Sequence, residues 1–355
     1  MNQPFVAAIS QIGPDSDVVV TSRVRIARNI SGFPFSSRAS NPVLQEILRV
    51  VRRAVDHSPH ATPIDQGLRW IELQSASSRD RTLLCERHLV SRNFATSDKP
   101  RALALSTDEN SSVMVNEEDH LRIQFLCAGS RLTDAFQSAF KLEQSLALAL
   151  NFSFHQRWGY LTACPTNVGC GIRISAMLHL PGIQIMKETD RIKRAARDLH
   201  LAVRGYYGEG SESTGDFFQF SNQTTLGATE ESLLGEFNDV VLPRLIGYER
   251  DARAAALARH RTKIEDVVFR AQATLCAARL LSAEAATKDL SRVRFGVIMG
   301  LIKTDLAIVQ RLLLQVQPAH LSVINPIALE GDDMEREARA TLVRQTLALA
   351  NPEMK

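Results

Sequence analysis

Arginines and carboxylates recur in this chain in short ordered groups that suit phosphoryl chemistry. Arg23 and Arg25 stand two apart in Thr21-Ser22-Arg23-Val24-Arg25, and because side chains alternate along a strand, both guanidiniums leave by one face. Two planar forks on one face can grip phosphate oxygens bidentately; the same pattern also suits an edge strand guarded by charge. Glu117, Glu118 and Asp119 are consecutive in Asn116-Glu117-Glu118-Asp119-His120-Leu121-Arg122. Crowded carboxylates raise one another's pKa and can create a base, or they can form a plain acidic turn with a structural His120. From Gly159 the chain reads GYLTACPTNVGCGIRISAMLHLP. Glycines around Cys170 allow close approach to a ligand and lead into Arg173, and Cys164 is either a tuned thiol or a buried one in a tight turn. Arg204 opens the glycine-rich run RGYYGEG, which also carries Glu209, and FFQFSNQTTLGATE follows from Phe217. Such a segment can close over a site or be an ordinary surface loop.

Other chemistries are poorly supported. No GxxxxGK[ST] loop, GxGxxG register or HExxH pair occurs, so phosphates would have to be held without a glycine-rich nest. The five cysteines are scattered and form no CxxC pair; neither a zinc site nor a disulfide framework is expected, and no protein metal site is assigned. With 42 Lys and Arg against 39 Asp and Glu, no global field favours nucleic acid or a membrane as partner. The opening MNQPFVAAISQIG has no basic, then apolar, leader pattern, and no apolar run approaches the ~18 residues of a span. A soluble cytoplasmic protein is expected.

These residues need a scaffold. The β-branched run from Asp17 to Arg25 reads as a strand, Leu68–Leu73, Ala102–Leu105, Ser112–Asn116 and Leu121–Cys127 as further strands, and the segment SAMLHL as another. Helices are expected over Pro42–Asp56 (stripe Val43, Ile47, Val50, Val51), near Arg79–Val90, over 131–151 and around Asp190–Leu201. From about Pro243 the composition turns Ala/Leu/Arg-rich, and residues 249–281 contain neither Gly nor Pro. They read as one long helix with Val267, Ala271, Leu275 and Ala278 as its stripe, followed by helices near 288–302, 304–316 and 334–349. The expected organisation is a lead-in over 1–16, an α+β domain over 17–240 with a mainly antiparallel sheet flanked by helices, and an all-helical domain over 241–355.

Taken together and in order, TSRVRIARN, NEEDHLRIQ, GYLTACPTNVGCGIR, RGYYGEGSE and FSNQTTLGATE resemble the guanidino-phosphotransferase (phosphagen kinase) family over about residues 17 to 240. The resemblance implies transfer of phosphate from MgATP to a guanidinium. It implies an ATP site of Ser22, Arg23, Arg25, His88, Arg122, Arg173 and Arg204, with Mg²⁺ held mostly by phosphate and water. It makes Glu118 the base that aligns the guanidinium and takes its proton. Glu209 becomes a second carboxylate gripping the other edge, and Cys164 the thiol that touches the group.

Within the family the chain is most similar to the bacterial protein arginine kinases. Creatine and arginine kinases carry a helical domain ahead of the SRVR strand, whereas about twenty residues precede it here; the helical tail resembles a dimerising, regulatory domain. The implied function is phosphorylation of arginine in proteins, with a homodimer, a zinc-containing activator and a Clp-type protease as implied partners. A small-molecule guanidino kinase acting on free arginine, or a non-catalytic regulatory homologue, are the alternatives. One departure concerns the RDxxRA motif that binds phosphoarginine in such proteins: here the stretch reads Glu335-Arg336-Glu337-Ala338-Arg339-Ala340, so only its final Arg-Ala agrees.

Overall fold

The computed structural model describes residues 8–57, 67–205, 214–326 and 331–350. Its strands are β1 (Val19–Arg28), β2 (Arg69–Glu72), β3 (Ala102–Leu105), β4 (Ser111–Val115), β5 (Leu121–Ala128), β6 (Phe154–His155), β7 (Gly159–Tyr160), β8 (Ile172–His179), β9 (Leu201–Arg204) and β10 (Phe217–Asn222). Eight of them form one sheet in the order β2-β3-β4-β5-β1-β8-β10-β9, with β6 and β7 apart as a hairpin, and every pairing is antiparallel. The helices are α1 (Asn41–Asp56), α2 (Ser78–Glu86), α3 (Arg92–Ala95), α4 (Leu132–Ala147), α5 (Pro181–Ile185), α6 (Thr189–Asp198), α7 (Glu230–Gly235), α8 (Leu242–Ala277), α9 (Ala283–Ile298), α10 (Leu306–Gln315), α11 (Pro318–Ile324) and α12 (Asp332–Ala350). An antiparallel sheet flanked by helices, followed by a helical region, is the expected α+β class.

Alternation along β1 decides which face does what. Val24 and Ile26 are fully buried on the side covered by α1 and α4, where Leu44, Ile47, Val51, Ala135, Ala139, Leu142 and Leu146 complete the core. Arg28, at an even position like Val24 and Ile26, points the same way and meets Glu143 of α4 at 2.8 Å, both buried. Arg23 and Arg25 therefore emerge on the opposite face.

The helical region has its own core. Leu242 and Ile246 at the start of α8 pack with the sheet. From Ala256 onward α8 contributes Ile264, Val268, Ala271 and Leu275 to a second cluster with α9, α10 and α12, and its backbone departs from helical geometry at His260. Two expected stripes shift by one residue. In α8 the buried line passes through Val268, leaving Val267 44% exposed, and in α1 it runs Leu44, Ile47, Val51, not through Val43 and Val50. Both true lines keep the i, i+3, i+7 spacing that a single helix face requires. Strands β9 and β10 and helix α11 were not expected; all three are short and lie beside Gly- or Pro-rich connections that mask a period.

The two regions interlock at the end of β8. Arg294 of α9 donates from Nη1 to His179 Nδ1 at 2.6 Å, His179 Nε2 donates to Ser291 Oγ at 2.8 Å, and Arg253 of α8 donates to the His179 carbonyl at 3.0 Å.

Candidate active site

Register places all five candidate arginines on one face. Arg25 lies opposite Arg173 of β8 and Gln124 of β5, Arg122 opposite Ala27, and Arg204 of β9 opposite Gln219 of β10. Directly paired residues in an antiparallel ladder share a face, and Gln219 pairs with Met177, which lies four positions along β8 from Arg173 and so on the same face. The five guanidiniums line one cavity of about 630 Å³ together with His88, Gln124, Glu117, Glu118, Cys164 and Gln219.

Neutral groups, not carboxylates, orient the centre of this cradle. Arg23 donates to Gln219 Oε1 at 2.7 Å and to Ser175 Oγ at 3.4 Å, and Arg173 donates to Ser221 Oγ at 3.2 Å. Buried Nε and Nη2 of Arg25 have no hydrogen-bond partner among the described residues. Burial, then the charges of Arg173, Arg122 and Arg204, draw the Arg23 pKa down to about 10. Arg25 is depressed well below the ordinary value by burial and by the same arginines plus Arg23. Unpaired buried donors and crowded like charge are costly, and a polyanion such as a triphosphate relieves both at once. His88, in left-handed conformation just after α2, has its carbonyl held by Gln124 at 3.2 Å. Burial and the nearby Arg23 charge lower its pKa to about 3, so it is a neutral wall of the cavity.

The acidic edge is built by sorting four adjacent side chains. Asp119 and His120 turn inward and are fully buried. Asp119 Oδ1 accepts from Asn29 Nδ2 and from the Ala163 amide, each at 2.7 Å. His120 Nδ1 accepts from the Ile30 amide at 3.0 Å, leaving Nε2 to donate to the Pro34 carbonyl at 2.9 Å. Glu117 and Glu118 are left facing the cavity, 2.9 Å and 3.2 Å from Arg122 Nη2. Burial raises the Glu118 pKa, opposed by Arg122, reinforced by Asp119 and Glu117, and lowered slightly by the neighbouring Cys164 side chain. Cys164 Sγ also lies 3.1 Å from Thr166 Oγ1. The Cys164 loop is cinched by Thr225, whose Oγ1 donates to the Thr166 and Val168 carbonyls at 3.2 Å and 2.8 Å. At Gly169 (φ +115°) a Cβ would sit 2.4 Å from the Thr225 oxygen, so this crossing requires glycine.

Of the residues singled out in the sequence, Arg23, Arg25, His88, Arg122, Arg173, Arg204, Glu118 and Cys164 converge. Ser22 does not: it lies on the opposite face of β1, fully buried, donating to the Gly129 carbonyl at 2.7 Å and accepting from the Arg131 amide at 3.0 Å. Glu209 lies outside the described residues. Gln219, Ser175, Ser221 and Gln124 belong to the site and were not singled out, and Glu117 was named only as one of three crowded carboxylates. Gln124 stands two residues after Arg122 and Ser175 two after Arg173, a spacing that carries them to the same face. Among the described residues no group of three or more His, Cys, Asp or Glu could hold a metal ion.

Comparison with known proteins agrees with this geometry. The family described as ATP:guanido phosphotransferase, C-terminal catalytic domain, matches residues 49–252, and the protein-arginine kinase McsB C-terminal domain matches 261–355. The chain is 39% identical over 338 residues to the protein-arginine kinase of Symbiobacterium thermophilum, covering 95% of each, and 38% identical over 348 residues to that of Brevibacillus brevis, covering 98% and 96%. Solved structures with the same fold include the duplicated taurocyamine kinase from Schistosoma mansoni with bound transition state analog components (TM-score 0.62, 23% identity, 70% of this chain and 36% of that one). Lombricine kinase gives a TM-score of 0.58 at 22% identity, with 70% and 71% covered.

Proposed function

The chain belongs to the ATP:guanido phosphotransferase family, and we infer that it is a kinase phosphorylating the guanidinium of arginine residues in proteins at the expense of ATP. The carrying observation is the convergence of five arginines and one carboxylate–thiol pair on a single cavity, in a chain similar along its whole length to protein-arginine kinases.

The residues act as follows. Arg23, Arg25, Arg122, Arg173 and Arg204 hold the triphosphate and the transferring phosphoryl group, whose charge needs stabilising throughout. The unpartnered Arg25 donors fit phosphate oxygens, and His88 bounds the nucleotide. A protonated guanidinium is a poor nucleophile. Glu118 orients it and accepts a proton from the attacking nitrogen as the N–P bond forms and the bond to the ADP oxygen breaks. Cys164 and Glu209 steady the rest of the planar group. Mg²⁺ would come as its complex with ATP and would supply charge neutralisation on the phosphates beside the five arginines. Ser22 supports this site from behind, through the turn before α4.

The wider setting follows from the family. The catalytic part spans 17–240 after a lead-in over 1–16, and 241–355 forms the helical regulatory domain, the first turns of its α8 packing on the sheet. A homodimer, a zinc-containing activator and a Clp-type protease are the fitting partners. The α8 stripe is consumed by the chain's own core, so dimerisation would use exposed apolar residues such as Phe269. The RDxxRA-like stretch is committed internally: Arg339 is buried, bonding the Val316 and Leu281 carbonyls at 2.7 Å and 2.9 Å and pairing with Glu335. The cytoplasm is the fitting compartment, in keeping with five free thiols; no described helix is long and apolar enough to cross a membrane.

Incubation with MgATP and a protein mixture, followed by mass analysis for acid-labile phosphoarginine, tests this function. Turnover of free arginine with none on protein would assign a small-molecule guanidino kinase instead.

A further inference from the structure

Three large apolar side chains stand exposed around the loop that carries Cys164. Phe154 is 59% exposed, Trp158 42% and Leu226 52%. Isolated exposed hydrophobics are common, but a group at one place marks an interaction site. Their convergence follows from backbone geometry. The β6–β7 hairpin is laid against Gly169: Tyr160 and Gly169 exchange amide–carbonyl bonds at 2.8 Å and 3.3 Å, and a Cβ on Gly159, the residue after Trp158, would lie 2.5 Å from the Gly169 oxygen. From the other side, a Cβ on Gly169 would lie 2.8 Å from Cα of Leu226. The hairpin, the Cys164 loop and Leu226 are thus stacked with their backbones in contact.

The patch is rigidly held and borders the cavity. Tyr160 has the Arg28 guanidinium 3.4 Å from its ring centre and Phe154 edge-on at 5.2 Å, and Arg28 is itself locked to Glu143. Arg157 lies over Trp158 at 4.6 Å. On the cavity side of the same loop, Cys164, Thr166, Asn167 and Gly171 form part of the wall.

We propose that Phe154, Trp158 and Leu226 form a docking surface for the polypeptide segment flanking the acceptor arginine, taking a large apolar or aromatic side chain near it in sequence. This rests on the acceptor being a polypeptide arginine: a side chain held at Glu118 and Cys164 must leave its main chain outside the cavity, and the apolar patch stands on the outer side of the loop that carries Cys164. Binding energy from such remote contacts orients the reacting group, so the patch selects among exposed arginines.

The test uses the full-length protein, MgATP and two arginine peptides identical except that one carries Phe and Leu at the flanking positions and the other Gly and Ser. The native protein is expected to prefer the apolar-flanked peptide in kcat/KM by on the order of tenfold, the discrimination an apolar pocket supplies. Trp158→Ser and, separately, Leu226→Ser are expected to bring that ratio towards one. Leu148→Ser, which alters another exposed leucine, is expected to keep it. A native ratio near one, or a ratio surviving in both patch variants, overturns the docking surface while leaving protein arginine as the acceptor. Phosphate on free arginine and on neither peptide overturns the acceptor assignment itself, and the patch with it.

Discussion

Asp119 accepts the backbone N–H of Ala163 at 2.7 Å, and this bond ties the turn that presents Glu118 to the loop that presents Cys164. The same oxygen accepts from Asn29 at the end of β1, so one buried carboxylate fixes the separation of the Glu118 turn and the Cys164 loop relative to the arginine strand. Asp119→Ala is expected to lower kcat by about 10²-fold, the cost of displacing a reacting group by ~1 Å, with a smaller change in KM for ATP. Steady-state kinetics with ATP varied checks this; an unchanged kcat would make the bond merely structural.

Glu118→Gln removes the proposed proton acceptor and keeps the shape. Loss of a general base costs on the order of 10²–10⁴-fold, and ATP binding, read by thermal shift, should persist. The native rate should also fall on acidification at a pH above the ordinary carboxylate range. Burial raises the Glu118 pKa, so its proton returns earlier as pH drops and the base is lost sooner. An acid limb at the usual Glu value, or native activity in the glutamine variant, would remove Glu118 from this role.

Arg25 trades stability for binding. Its buried unpartnered donors and four arginine neighbours destabilise the protein without ligand, so Arg25→Gln should raise the melting temperature of the nucleotide-free form. ATP should then stabilise the variant far less than the native protein, because a ligand stabilises only by as much as it binds the folded state. Transfer should drop by the ~10²–10³-fold that one lost charge stabiliser costs. Differential scanning with and without MgATP decides it: a lower melting temperature without ligand would mean that the arginine is structurally satisfied.

Much of this site was legible because its chemistry is carried by neighbours in sequence. Arg23 and Arg25 share a face by period two alone, and Leu121–Ala128 follows directly on the acidic turn. What could not be read is what long-range pairing decides. Ser22 sits beside Arg23 in sequence but on the other face of β1, and its partners Gly129 and Arg131 are more than a hundred residues away. Gln219, which orients Arg23 from a separation of 196 residues, carries no mark of that role in its own segment. The boundary at about residue 240 was drawn from composition, and α8 begins there at Leu242, yet its first turns still pack on the sheet and only from Ala256 onward does it join the helical core. A helix can change its packing partner partway along without changing its sequence character.

Glu86 gives a last prediction, joining the His88 side of the cavity to the helical domain. Its carboxylate accepts from the Ala319 and His320 amides at 2.8 Å and 3.0 Å and lies 2.7 Å from His320 Nδ1. The next residue, Arg87, donates from Nε to His320 Nε2 at 3.1 Å and pairs with Glu109. Residue 86 thus caps the first turn of α11, where unpaired amides favour an anion, and His88 follows two positions later at the cavity wall. Glu86→Ala would leave two buried amides and an imidazole without their acceptor, and breaking such a buried network costs about 3–5 kcal/mol. Global stability should therefore fall by roughly that amount in urea titration. Because α2 loses its anchor on the helical side, His88 should shift and KM for ATP should rise more than kcat falls, with phosphate still reaching arginine at saturating nucleotide. A variant with native stability and native KM would mean that the helical domain leaves the nucleotide site untouched along this route.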